Sequence, residues 1–178
     1  MKKKLSVRYI TLSAMLVAMS VVIGIFCKSV LNFGGGLFRV TFENLPIILS
    51  GILFGPLAGA TVGLLSDVLS YLLSGQSYPL NVIVTLGATS VGLVSGLVSR
   101  FWVKKRGIKQ IILAASAAHI VGSMIIKPIG LYTFYGWAVL FRIPLYLAIA
   151  PIEILLLCLL YKKSGFRRLI DGFDKEDI

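Results

Sequence analysis

The chain has 178 residues, 57% of them apolar and 14% charged, with a mean hydropathy of +0.93, values that suit lipid as the main solvent and exclude a soluble enzyme domain. Subtracting 7 acids from 18 Lys and Arg leaves a net charge of +11, which in a membrane chain is first a topology signal and only then a surface for nucleic acid. A span takes about 20 residues, so positions 1–178 are expected to form one six-helix transmembrane domain with no aqueous catalytic unit.

Residues 9–27 carry no formal charge and follow Lys2, Lys3, Lys4 and Arg8, which predicts a first span. The competing reading is a cleaved signal peptide, whose apolar region usually runs roughly 7–15 residues and ends in a small-residue cleavage site. This run is longer and no convincing site follows it. Residues 44–66 are again uncharged, but Pro46 and the Gly55-Pro56 pair interrupt them, because proline removes a backbone donor and restricts the residue before it. Two short arms turning at Gly55-Pro56 are expected. The first, residues 43–55, is about 20 Å long at 1.5 Å per residue, enough for a steep span or for half of a re-entrant hairpin.

Residues 68–99 are 32 positions without a charge, too many for one helix, and the segment 74–79 is their break. This gives the end of helix three and all of helix four, which Lys104, Lys105, Arg106 and Gly107 terminate. Residues 110–126 predict helix five, residues 128–137 a second aromatic, Gly-containing loop, and residues 138–161 helix six.

Four bases precede helix one, five lie in 100–109 and five in 162–175, so fourteen of eighteen share one side. By the positive-inside rule that side is cytoplasmic. The expectation is an all-α, multi-pass protein of the cell membrane with both termini cytoplasmic, three outer connections and no nucleic-acid partner. Cys27 and Cys158 fall in opposite leaflets, too far apart for a disulfide.

Chemistry is sparse. His119 is the single histidine and no Cys/His cluster has ligand spacing, so no metal site, cofactor or catalytic residue is expected. The sequence contains neither a G-x-x-x-x-G-K-[ST] phosphate loop nor a G-x-S-x-G nucleophile elbow. An active transporter of this size would therefore borrow its ATPase. Gly34, Gly35 and Gly36 lie in an outer loop after a membrane helix and read as a flexible hinge.

The bases that break the positive-inside rule are Lys28, Arg39, Lys127 and Arg142, all placed near outer helix ends or outer loops. The same zone holds ten of the nineteen aromatics, among them Phe38, Tyr71, Tyr78, Tyr135 and Trp137. Two readings fit: an interfacial belt with snorkelling bases, or an outward-facing pocket in which rings stack a flat ligand and cations hold its carboxylates. Asp67 sits within helix three, where a charge costs roughly 2.5–3.5 kcal/mol on insertion scales. That cost fits an ion pair with Lys127 or Arg142, a proton relay, or a carboxylate accepting paired N–H donors from a ligand ring. Glu153 could pair with a basic loop residue or line a partner contact, and His119 reads as a packing histidine or a ligand contact.

Small residues recur four apart at Gly51/Gly55, Gly59/Gly63 and Gly92/Gly96, as expected for close helix packing. Ala14 and Ala18 differ, because helix one is otherwise bulky and a smooth patch there could receive a helix of another protein.

The basic N-terminus, the Ala-x-x-x-Ala of helix one, the Gly-rich loop and the run FENLPIILSGILFGPLAGATVGLLSDVLSYLL resemble the substrate-binding S components of energy-coupling factor vitamin transporters over essentially the whole chain. Arg39, Phe42 to Pro46, Gly51, Phe54 to Pro56 and Asp67 look most like the folate-specific members. The resemblance implies high-affinity binding of a vitamin from outside and its delivery within a complex of a transmembrane coupling subunit and two ATPases. It also implies a gating loop at Gly34 to Gly36 and a coupling contact at Ala14 and Ala18. Charge, aromaticity and depth then select Phe38, Arg39, Asp67, Tyr71, Tyr78, His119, Lys127, Tyr135, Trp137 and Arg142 as candidate binding residues. Riboflavin, thiamine or pantothenate specificity, or an autonomous proton-coupled carrier using Asp67, Glu153 and His119, are the alternatives.

Overall fold

A computed structural model describes residues 7–33, 38–75, 80–102 and 107–163. Seven helices account for nearly all of them: α1 (Val7–Val30), α2 (Asn44–Phe54), α3 (Pro56–Leu73), α4 (Val82–Leu97), α5 (Ile108–Ala118), α6 (Lys127–Tyr135) and α7 (Arg142–Lys162). Wide π-type turns extend α4 over Val98–Trp102 and join α5 to α6 over His119–Ile126, and a 3₁₀ turn, Gly136–Phe141, leads into α7. Among the described residues the one departure from helix and turn is a two-residue antiparallel pair between α1 and α2, β1 (Asn32–Phe33) on β2 (Phe38–Arg39), with Asn32 opposite Arg39.

The Gly55-Pro56 turn forms as expected. Gly55 adopts φ 91°, a conformation that costs glycine little, and Pro56 opens α3, where its missing N–H is one of the unpaired donors of a helix start anyway. Helix α2 has eleven residues, nine of them buried, and lies in the interior against α1, α3 and α4. The α3/α4 crossing brings backbones into contact: a Cβ added at Gly59 would collide with the Gly92 carbonyl, and one at Gly92 with that of Gly59.

The perimeter is apolar. Met15, Val22 and Phe26 on α1, Leu57 and Leu72 on α3, and Leu155 on α7 are exposed, an arrangement stable when lipid rather than water covers them. Four helical stretches are long and apolar enough to cross a membrane: Val7–Val30, Pro56–Leu73, Val82–Trp102 and Ile108–Lys162; Asn44–Phe54 is apolar but shorter. The chain is a membrane protein.

The expected loop at 128–137 is corrected. The helix continues through π turns into α6 and ends only at Gly136, with φ 54°. Pro128 follows directly on the π segment, as the second residue of α6. Gly130 lets that helix press on α4, since a Cβ there would lie 3.0 Å from Ile83 and Val84. After Gly136 the chain folds back, so that α7 packs on α5. Residues 104–106 and most of the 74–79 break lie outside the described residues.

Candidate functional site

A narrow cleft lies between α1, α2, α3 and α4, lined by Ser20, Glu43, Ile47, Ser66, Asp67 and Ala88. Its walls follow from local structure. Gly55 sets α2 against α3, and the glycine crossing of α3 with α4 brings Asp67 within reach of Thr85, whose hydroxyl donates to Asp67 Oδ2 at 2.7 Å. Asp67 forms no ion pair among the described residues, so neither Lys127 nor Arg142 neutralises it there, and its Oδ1 accepts no hydrogen bond from them.

Glu43 precedes α2 without capping it. Its carboxylate lies 3.5 Å from Lys127 Nζ, which also donates to Asn44 Oδ1 at 3.0 Å, while Ser20 donates to the Glu43 carbonyl at 2.8 Å. Lys28 donates to Ser70 Oγ at 2.8 Å. A Cβ at Gly24 would stand 2.9 Å from both Glu43 Oε2 and Ser70 Oγ, so that glycine is the gap in α1 through which the groups meet. Two carboxylates thus line the cleft, with Lys127 paired to one of them and Lys28 held by Ser70 nearby, so each charge has a neutral hydrogen-bonding partner or an opposite charge, the arrangement that makes buried charge tolerable.

Lys127 requires a correction of place: it is 4% exposed and turned inward, rather than a base of the outer loop. Its stem crosses α4 at Gly87, where a Cβ would lie 2.6 Å from Lys127 Cγ. The π turns explain the difference, because each wide turn advances the helical phase, and α6 presents a face that the periodicity of α5 does not predict.

Arg142 is also buried, with its guanidinium 5.3 Å from the centroid of the Tyr135 ring, a cation–π distance. Trp137 is 74% exposed and packs edge-on against Tyr132 at 5.6 Å. The aromatic zone therefore divides. Trp137, Phe141, Tyr132 and Phe134 lie on the surface as belt residues do, whereas Arg142 turns inward with Tyr135 beneath its guanidinium. Tyr71 is half-buried near the end of α3.

His119 and Glu153 form a separate pair. Nε2 lies 2.9 Å from Oε2, off the straight hydrogen-bond line, so these atoms make no linear hydrogen bond. Glu153 thus meets His119 of the π segment rather than a basic loop. Ala14 and Ala18 are exposed on α1. Phe38 and Arg39 form β2, and the outcome for their side chains, for Tyr78 and for Gly34, Gly35 and Gly36 lies outside the described residues. Among the described residues no group of three or more His, Cys, Asp or Glu could hold a metal ion.

Sequence reasoning missed Glu43, Ser20 and Ser66 as cleft residues, and Asn44 and Thr85 as the partners of Lys127 and Asp67. One signal was present: Glu43 stands alone at the head of an uncharged run, and an acid at that boundary needs a partner. Which partner is a tertiary matter, since Lys127 lies 84 positions away.

A family model described as ECF transporter, substrate-specific component, matches residues 8–167. The folate transporter FolT of Clostridium novyi (strain NT) is 31% identical over 103 residues, 57% of this chain and 57% of that protein. An uncharacterised protein of Mycoplasma pneumoniae, the MG098 homologue, is 34% identical over 104 residues, covering 53% of this chain and 21% of its own length. The chain thus spans between a fifth and somewhat over half of the curated relatives it matches. Among solved structures, FolT bound with folic acid superposes with a TM-score of 0.69 at 22% identity, covering 91% of this chain and 96% of that one. The S component of a bacterial ECF transporter superposes with a TM-score of 0.61 at 22% identity, covering 93% and 96%. Both share this fold.

Proposed function

The chain belongs to the ECF transporter family as a substrate-specific component, and from that premise we propose that it captures folate outside the cell and delivers it through a complex with a transmembrane coupling subunit and two ATPase subunits. The observation that carries the reading is Asp67: a carboxylate inside a membrane helix, oriented by Thr85 and facing a cleft. Such a group accepts paired N–H donors, and the amino-pyrimidine edge of a pterin supplies them. Arg142 and Arg39 are the cations for the glutamate tail, with Tyr71, Tyr78 and Tyr135 as ring contacts and Gly34 to Gly36 as the gate. Lys127 acts through Glu43. The cleft has no room even for a water molecule as it stands, so folate entry requires its walls to part.

The same reading assigns six crossings, with α5 and α6 forming one, and both termini in the cytoplasm. The placement of Arg100 supports it: its Nη1 lies 3.8 Å from a Cβ built at Gly55, putting the α2/α3 turn beside the basic segment read as cytoplasmic. Ala14 and Ala18, exposed on α1, are the contact for the coupling subunit.

The test is to purify the chain in mild detergent and examine released ligand by near-ultraviolet absorbance and mass spectrometry, then titrate folic acid. A retained pterin and saturable folic acid binding are expected. A retained flavin or other vitamin would replace folate as substrate. A chain that binds no vitamin but drives uptake in vesicles without ATP would overturn the proposal in favour of an autonomous carrier.

A further inference from the structure

Ser66 lines the cleft next to Asp67 and is 2% exposed. Its hydroxyl is buried and has no hydrogen-bond partner. The hydroxyls around it are all engaged: Ser20 with the Glu43 carbonyl, Ser70 with Lys28, and Thr85 with Asp67. Ser13 and Ser123 are likewise unpartnered but are not among the cleft-lining residues, while Ser50, Ser90 and Ser95 fall back on a carbonyl of the preceding turn. Ser66 does not, although a helical serine ordinarily has that option. A buried hydroxyl left unpaired is costly, and its position on the cleft wall supplies the reason for keeping it.

We propose that the Ser66 hydroxyl is a recognition contact for the ring edge of the ligand, acting beside the open oxygen of Asp67. This rests on the folate reading and deepens it. A carboxylate oxygen takes only donors, whereas a hydroxyl rotates to donate or accept. The two together match a heterocycle edge that carries an N–H or amino donor next to an exocyclic carbonyl. The 2-amino-4-oxo edge of a pterin is such an edge: its amino and ring N–H groups meet Asp67, and its carbonyl oxygen accepts from Ser66.

The experiment compares the full chain with its Ser66→Ala variant in detergent, titrating folic acid and, separately, 2-amino-4-oxopteridine, which has the ring but no tail. One neutral hydrogen bond corresponds to a weakening of about 3- to 10-fold, and the same factor is expected for both probes. The control is Ser123→Ala, which removes another unpartnered buried hydroxyl that is not among the cleft-lining residues, and it should leave both affinities unchanged. Equal affinity in wild type and Ser66→Ala, or a loss for folic acid without one for the bare ring, overturns the assignment while the folate reading stands. Failure of the wild-type chain to bind folic acid removes the folate reading itself. Should Ser66→Ala fail to fold, Ser66→Cys keeps the side-chain shape with a weak donor and is expected to lose affinity in the same direction.

Discussion

Two of the buried groups of ionisable residues in this protein are built differently. Around the cleft, Glu43, Lys127, Lys28 and Asp67 are interleaved with Asn44, Ser70 and Thr85, so charges meet neutral partners as well as each other. Between α7 and the π segment, His119 and Glu153 have only one another among the described residues, at 2.9 Å and nearly sealed from the surface. The first arrangement can exchange a partner for a ligand group without stranding a charge. The second, which has no neutral partner among the described residues, links α7 to the α5 and α6 rod.

The largest effect that would sharpen this contrast is Glu153→Ala, which strands the histidine and costs about 3 kcal/mol of stability, read as a lower melting temperature in detergent. Folded Glu153→Ala protein should bind folic acid with wild-type affinity, and a selective loss of binding would break the comparison. Next comes Asp67→Asn, which keeps the shape but removes the charge. Charge-assisted hydrogen bonds are worth about 1.5–3 kcal/mol, so folic acid affinity should fall by about 10- to 100-fold in a fluorescence or calorimetric titration, and an unchanged affinity would end the pterin role. Lys127→Met retains the stem over Gly87 but leaves Glu43 without that counter-charge. A smaller loss of about 1–2 kcal/mol is expected, appearing in both melting temperature and folic acid affinity, because the residue supports the cleft rather than touching the ring. The smallest effect on binding belongs to Ala18→Trp: the isolated chain should bind as wild type, while vitamin uptake in cells that carry the whole transporter should collapse. Loss of binding by the isolated variant would make Ala18 an internal packing residue.

Helices 9–27, 43–55 and the arms flanking Gly55 were legible because hydropathy, proline and glycine act through a few neighbouring residues. Helix continuation across 128–137 was not. Pro128 and Gly130 look like loop residues locally, yet Pro128 sits where the π segment runs on into α6 and Gly130 lies tightly against α4. The site was legible to a similar degree. Asp67 stands out as a charge inside a span whatever surrounds it, but Ser66 gives no signal in the sequence, since its orphaned hydroxyl exists only once α3 has packed.

By itself, the amino-acid sequence determined the solvent of this protein, its helical class, the turn at Gly55-Pro56 and the cost that Asp67 must justify, all consequences of local composition and backbone chemistry. Tertiary structure alone decided that Glu43 meets Lys127, that His119 meets Glu153, and that Ser66 faces a cleft without a partner. Those pairings depend on helical phase through the π turns and on backbone contact at Gly59 and Gly92, and the distances they set are defined only when the whole bundle is closed.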